Sequence, residues 1–463
     1  VGRLVGYVMM NSPGITLTTS LFLAREAGVN DPEVSEAIER SAKLLRFYAG
    51  KGAVPYGDHQ PWMQTHEDNG KCGMAAVLFS LLGETENAEF FARMSIASHG
   101  NERDQGHTGN FFNITWAIPA IAQSGSNATG AWMEEFGAWY FDLARRWDGT
   151  FVHLGPPQMT NDSYASWDST GAYMLAYAKP LKNIYLTGKK GSAVPQLDVA
   201  SAKSIVSDGR GWDNKDRNSA YDSLSGDELF ERLGSWSPIV RDRAAMALHR
   251  KGNTPVDSLV KMLDSPKQEA RYGACTALGQ LEEAGAPAVS ALRKALQHED
   301  LWLRIEAAEA LAGIGAPALE ALPDLLTMLA KSPTKDDPRG MEQRYLSFVV
   351  FGKILARSPL AGVDRNLLRA AINAGLKNQD GRSRGIIGGT YDKLTYEEIK
   401  PLLPAINDAI VTGAPSGIMF ADEIRLSGLT LFAKFHIKEG IPLCIDLMDL
   451  DRWGQGRRIP RCL

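Results

Sequence analysis

The sequence predicts an all-α protein: a ring of helical hairpins followed by an α-solenoid. Three observations lead there. Up to Tyr177, segments that are apolar throughout alternate with segments that are apolar on one side only, and helices of the first kind are buried while those of the second lie outside them. Glycine- and aromatic-bearing loops deliver acids to the starts of the apolar segments. From Pro238 onward, a helix-pair pattern recurs at intervals of about thirty residues, the mark of a solenoid.

The elements follow in order. Residues 15–27 (ITLTTSLFLAREA) read as a buried helix closed by Gly28. Asp31-Pro32-Glu33 supplies an N-cap, a proline at the first helical position and an acid in the first turn of a helix running to about Tyr48. Gly73 to Leu82, Phe112 to Ala122 and Gly171 to Tyr177 are apolar, whereas Thr85 to Ser98 and Ala131 to Trp147 mix apolar and polar residues. The inner members of these hairpins are expected to surround a common axis. Loops echo one another: Gly52 to Gly57 followed by Asp68 and Gly73, then Gly149 to Gly155 followed by Asp168 and Gly171, with His107-Thr-Gly109 in the corresponding place between them. These loops are expected to emerge at one end of the ring.

The composition then shifts to Gly, Ser, Asp, Asn and Lys, which reads as a linker over 191–224. Ser225 and Glu228 form a capping box opening the next helix. Arg241, Arg271 and Arg304 occupy matching places in PIVRDRAAMAL, PKQEARYGACTAL and LWLRIEAAEAL, and Pro255, Pro287 and Pro317 recur between them. These units resemble HEAT-like repeats. They span 225–330, and the helical segments of 331–463 extend or cap the solenoid, ending in a basic, glycine-bearing tail.

The run GAVPYGDHQPW, HEDNGKCGMAAVLFSLLG, GHTGNFFN and AYMLAYAKPLKNIYLTGKK is similar to a family of uncharacterised bacterial proteins carrying a domain of unknown function. Residues 1–190 also resemble the α/α-toroid of terpenoid cyclases, prenyltransferase β subunits and several polysaccharide lyases and glycosidases. The resemblance implies a toroid, possible in partial form because about four hairpins are present against about six in a complete ring. It implies no single activity. The aspartate-rich protonating motif of the cyclases is absent, and the zinc-ligand pattern of the prenyltransferases is not met, so a terpenoid or prenyl-transfer reaction rests on fold alone.

Composition narrows the function classes. A formal charge of −4 with mixed signs gives no general attraction for nucleic acid or anionic membrane. Apolar runs are too short for a membrane span. No secretion signal opens the chain, although a leader preceding Val1 would make the protein periplasmic or secreted, so its location stays open. Four scattered cysteines do not make a disulfide framework.

The stretch from Gly57 to Asn113 concentrates groups able to do chemistry, including four of the eight histidines. His107, Tyr164 and Arg103 suit proton abstraction beside a uronate carboxylate, and Asp68 with Asp168 suits glycosidic hydrolysis. His59, Trp62, His66, Asn110, His153 and Trp167 are candidates for substrate binding, the tryptophans by stacking on sugar rings. Trp132, Trp139 and Trp147 read as a helix-packing stripe. His66, Asp68 and Cys72 offer zinc-type ligands, but without HExxH or paired CxxC no metal site is assigned and a zinc cofactor stays open. Cys72 reads first as a small core residue at the start of a helix. Two functions follow: a carbohydrate-active lyase or hydrolase with its cavity at the toroid rim, or a non-catalytic scaffold binding a protein partner on the HEAT-like surface.

Overall fold

The computed structural model describes residues 10–98, 109–152, 170–178, 191–210, 219–252, 254–412 and 422–448. Among them the structure is helical, with only two isolated antiparallel bridges, Ala53 with Trp62 and Arg145 with Phe151. The chain forms two compact units, one of Met10–Lys251 and the other containing the chain from Gly252 on.

The first unit begins with α1 (Asn11–Glu26), α2 (Pro32–Tyr48), α3 (Lys71–Leu82), α4 (Thr85–Ala97), α5 (Gly109–Ile121) and α6 (Ser126–Gly137). It continues with α7 (Thr170–Ala178), α8 (Val199–Asp208), α9 (Gly226–Leu233) and α10 (Pro238–Lys251). Helix α2 starts as its sequence requires, with the Asp31 carboxylate accepting from the Glu33 amide and Pro32 in the first turn. The apolar helices are neighbours in sequence order: α1 packs on α3, α3 on α5, and α5 on α7. Helices α2 and α4 pair with α1 and α3. Glycines bring α3 and α5 together, since a Cβ on Gly73 would lie 2.9 Å from the Trp116 carbonyl oxygen.

Ile114, Ile118, Trp132, Phe136, Phe141, Phe151 and Tyr173 share one core cluster. The tryptophan stripe is only partly realised. Trp132 is buried, but Trp147 is 93% exposed, because the helix gives way after Gly137 to a wide turn over Ala138–Asp142 and loses its register. Within the segment read as a linker, Val199–Asp208 forms a helix capped by Asp198 that buries Ala202, Ile205 and Val206 against the same core. Three apolar residues in one short segment are too few to register as periodicity.

The second unit stacks helical hairpins. Its helices are α11 (Val256–Met262), α12 (Gln268–Gln280), α13 (Val289–Ala295), α14 (Leu301–Ile314), α15 (Leu322–Leu329) and α16 (Met341–Ser347). The last of these continues through a wide helical turn, Phe348–Ile354, into α17 (Leu355–Arg357). Then come α18 (Arg365–Gly375), α19 (Gly381–Gly388), α20 (Tyr396–Ile399), α21 (Leu403–Val411), α22 (Asp422–Lys434) and α23 (Gly440–Met448). The second helix of each pair packs on the second helix of the next: α12 on α14, α14 on α16, α16 on α19, and α19 on α22.

The recurring arginine has a defined task. Arg241, Arg271 and Arg304 each stand fourth in their helix, and each donates from Nη1 to the carbonyls five and six residues earlier: Ser235 and Trp236, Ser265 and Pro266, His298 and Glu299. These oxygens lie in the turn before the helix, where the chain has no regular partner for them. Arg344, Arg384 and Arg425 hold the same fourth place and donate to the carbonyls of Arg339, Asn378 and Ile410. The repeat therefore continues past Lys331 at a longer interval.

Arg304 also donates to Glu342 at 2.5 Å. Replacing Arg304 with methionine leaves that largely buried carboxylate unpaired as well as two carbonyls, and is expected to cost about 3 kcal/mol. Arg271→Met, which strands carbonyls only, is expected to cost about 1–2 kcal/mol. Urea denaturation of the two variants checks the order.

Asp337 is buried and accepts from the amides of Met341 and Glu342 at 2.7 and 3.0 Å. Burial outweighs those bonds and raises its pKa to about 6 from 3.8. The folded state thus holds the proton more tightly than the unfolded chain. This group's stabilisation is complete below about pH 4 and is lost as pH rises through about 6. The full change is roughly 2–3 kcal/mol. Asp337→Asn should remove it, so the stability difference between wild type and variant, measured by urea denaturation from pH 4 to 7, should change with this sign.

Candidate functional site

The loop from Gly50 to Gly70 is held by main-chain and side-chain bonds from several directions. Ala53 and Trp62 exchange both amide-to-carbonyl bonds at 2.9 Å. Asn11 donates from its side chain to the carbonyls of Pro55 and Gly57 at 2.9 and 2.7 Å. The Tyr48 hydroxyl donates to the His59 carbonyl at 3.2 Å. His59 thus contributes its backbone to the loop, and its side chain is half-buried. Trp62 is 38% exposed, with its indole N–H donated to the Thr65 hydroxyl at 3.0 Å.

At the start of α3 the polar residues become buried. Glu67 accepts from the amides of Cys72 and Gly73 at 2.8 and 3.0 Å. A carboxylate there satisfies orphan amides and complements the helix dipole. Gly70, at φ +70°, donates its amide to the Asn113 side chain of α5. A Cβ at Gly70 would press on the Phe112 carbonyl. Lys71 is 0% exposed, and its ammonium donates to Asp68 at 2.7 Å, while Asp68 retains 18% exposure. Cys72 packs fully buried, and burial, reinforced by Glu67, pushes its thiol well above the ordinary range. That thiol is not poised as a nucleophile.

His66 is 0% exposed and lies against the second helix of the first repeat. Its Nε2 is 2.9 Å from the Ser237 hydroxyl, and its ring faces Trp236 at 6.3 Å between centroids. Trp236 donates to Asp208 at 2.9 Å; burial raises the pKa of Asp208, opposed by that bond. Arg241 reaches the Gly50 carbonyl at 3.0 Å and Arg243 the Gln64 carbonyl at 3.2 Å. The first repeat hairpin, α9–α10, is therefore docked on the candidate loop within one compact unit.

Of the residues singled out from the sequence, the structure brings Asp68 and His66 to this loop together with His59 and Trp62. Asn110 falls in the first turn of α5, and its side chain lies outside the described residues. His107, Arg103, Tyr164, Asp168, His153 and Trp167 also lie outside them. Among the described residues no group of three or more His, Cys, Asp or Glu side chains is placed to hold a metal ion. No described helix is long and apolar enough to cross a membrane. Sequence reasoning assigned no role to Glu67, Lys71, Asn113 or Ser237. An acid just ahead of an apolar helix signals the first, and Lys71 has its partner Asp68 three residues before it, whereas Asn113 and Ser237 depend on distant partners.

A second feature lies on the second-helix face of the array. A groove of about 390 Å³ crosses α12, α14 and the segment ending in α17. Its floor is small because α12 and α14 meet at Gly279, Ala310 and Gly313, where a Cβ on Gly279 would come within 2.9 Å of the Ala310 Cα. Thr276 donates to Glu306 at 3.3 Å, and Lys353 pairs with Glu309. Cys275 is buried at its edge, its thiol pushed well above the ordinary range by burial.

Comparison with known proteins divides the chain at a different place from the compact units, because the HEAT match begins at residue 226, inside the Met10–Lys251 unit. Residues 1–188 match the model of a domain of unknown function, DUF6288, and residues 226–288 and 256–341 match HEAT repeats. No curated protein matches the chain. The chain therefore carries a DUF6288 domain followed by HEAT repeats.

Proposed function

We propose that this chain is a non-catalytic binding or scaffolding protein that presents the second-helix face of its HEAT repeats to a protein partner. The observation that carries this reading is the groove across α12, α14 and α17, lined by charged side chains over a floor of glycine and alanine. Solenoids bind through such continuous faces. The described part of the Gly57–Asn113 cluster favours the same reading, because Glu67, His66 and Asn113 are bonded to main chain or to buried partners and Lys71 is wholly buried in an ion pair. The test is cross-linking of captured partners by the full chain, with the cross-links mapped. Links on the face carrying Thr276 and Lys353 support the reading. Links confined to Met10–Lys251, or no partner, would sink it.

A second reading, a carbohydrate-active lyase or hydrolase, is favoured by one observation. Asp68 keeps partial exposure beside a buried ammonium, and the bond from Gly70 to Asn113 sets the start of α3 next to the start of α5, which His107 precedes in sequence. On this reading the successive contacts of α1, α3, α5 and α7 are the inner wall of a partial α/α toroid. Turnover of a polysaccharide and oligouronate panel, lost in His107→Ala, supports it; absence of turnover across the panel counts against it.

A further inference from the structure

The groove on the repeat face has a polarity that specifies its occupant, on the reading that this face binds a partner. Glu282 follows the C-terminal end of α12, Glu306 and Glu309 lie on α14, and Lys353 and Arg357 lie on the turn and helix beyond. Lys353 is neutralised by Glu309. Glu282 and Arg357 are exposed, and neither has an ion pair or hydrogen bond among the described residues. One end of the groove therefore offers an uncommitted carboxylate and the other an uncommitted guanidinium.

Distance sets the length of what fits. The groove spans three neighbouring helical segments, two interhelical spacings of about 9 Å each. That is roughly 18–20 Å, which an extended chain covers in about six residues at about 3.3 Å each. The floor between the charges carries no side chain larger than a methyl at Gly279, Ala310 and Gly313, leaving room for the side chains of a segment laid across it.

We propose that this groove receives an extended segment of a partner protein with a lysine or arginine over Glu282 and Glu306 and, about six residues away, an aspartate or glutamate over Arg357. The charges on both ends are exposed, so they set selectivity and register more than affinity, and their effect weakens with salt.

The experiment uses the full chain and fluorescent, end-blocked octapeptides with two charges six residues apart: Lys with Glu, Lys with Lys, and Glu with Glu. Anisotropy titration at low salt should show the Lys–Glu peptide binding about fivefold or more tightly than either like-charged peptide. Arg357→Glu should shift the preference to Lys–Lys, and Glu282→Lys should shift it to Glu–Glu. Both positions are exposed, and circular dichroism checks that each variant keeps its helical content. Equal binding of the three peptides, or an unchanged preference in both variants, overturns the proposal. If partners cross-link to this face while the peptides show no preference, the dipolar groove fails and the binding function stands. If the preference is present but no partner links to this face, the groove stands and the scaffold reading fails.

Discussion

Asp68→Ala is expected to destabilise the Met10–Lys251 unit by about 3 kcal/mol, more than removal of both charges together. Lys71 is wholly buried at the first position of α3, and Asp68 is its hydrogen-bond partner and counter-charge. Truncating Asp68 strands a buried ammonium near the positive end of a helix dipole, which opposes it further. Lys71→Met leaves a carboxylate that still reaches water, so its cost is smaller, about 1–2 kcal/mol. The double variant Asp68→Leu, Lys71→Met should recover most of the loss, since apolar replacement of a buried pair is often neutral. A double-mutant cycle by urea denaturation measures this, and purely additive single effects would contradict the buried pair. The same series bears on the enzyme reading. A loss of turnover in Asp68→Ala has chemical meaning only when compared with the double variant, whose stability is restored and whose carboxylate is not.

Gly313→Ala is expected to lower the stability of the HEAT array by roughly 2–3 kcal/mol. A Cβ there would meet the carbonyl oxygen of Gly279 and lie 3.0 Å from its Cα, so it presses on the backbone of the facing helix. A flexible side chain could move aside; α12 can yield only by separating from α14. Gly389→Ala is the control. That glycine has φ −63° and meets its neighbours only at ordinary distance, 3.7 Å from the Ile386 carbonyl. Alanine there should be neutral or stabilising by about 0.4–1 kcal/mol through reduced freedom of the unfolded chain. Thermal melts of both variants decide the matter, and equal effects would mean that the two helices are not held at this distance.

Much of the architecture was legible before any coordinates. The cap at Asp31 and Pro32 and the box at Ser225 and Glu228 are local signals, and local chemistry realises them. The alternation of buried and one-faced helices is realised at α3, which is buried from Lys71 to Ser80, but not at α1 or α7, where Leu17, Leu23, Met174 and Tyr177 are exposed. The arginine spacing found three repeats, but the change to intervals of about forty residues at Arg344, Arg384 and Arg425 obscured the rest. The helix at Val199–Asp208 was missed because it presents only Ala202, Ile205 and Val206 to a core built elsewhere.

The candidate site was legible as a cluster and less so as a set of roles. His66, Asp68 and Cys72 look alike in a one-dimensional reading, as polar or reactive residues in a short run. Folding separates them: His66 meets Ser237 across 171 positions, Asp68 serves Lys71, and Cys72 disappears into the core. Helix starts, caps and repeats depend on neighbours within a few residues, so the amino-acid order alone was enough to specify them. Which polar groups are satisfied, and which charges stay uncommitted as at Glu282 and Arg357, depends on partners brought together by distant parts of the chain. Only the packed structure decides that, because burial and pairing are properties of three-dimensional neighbours.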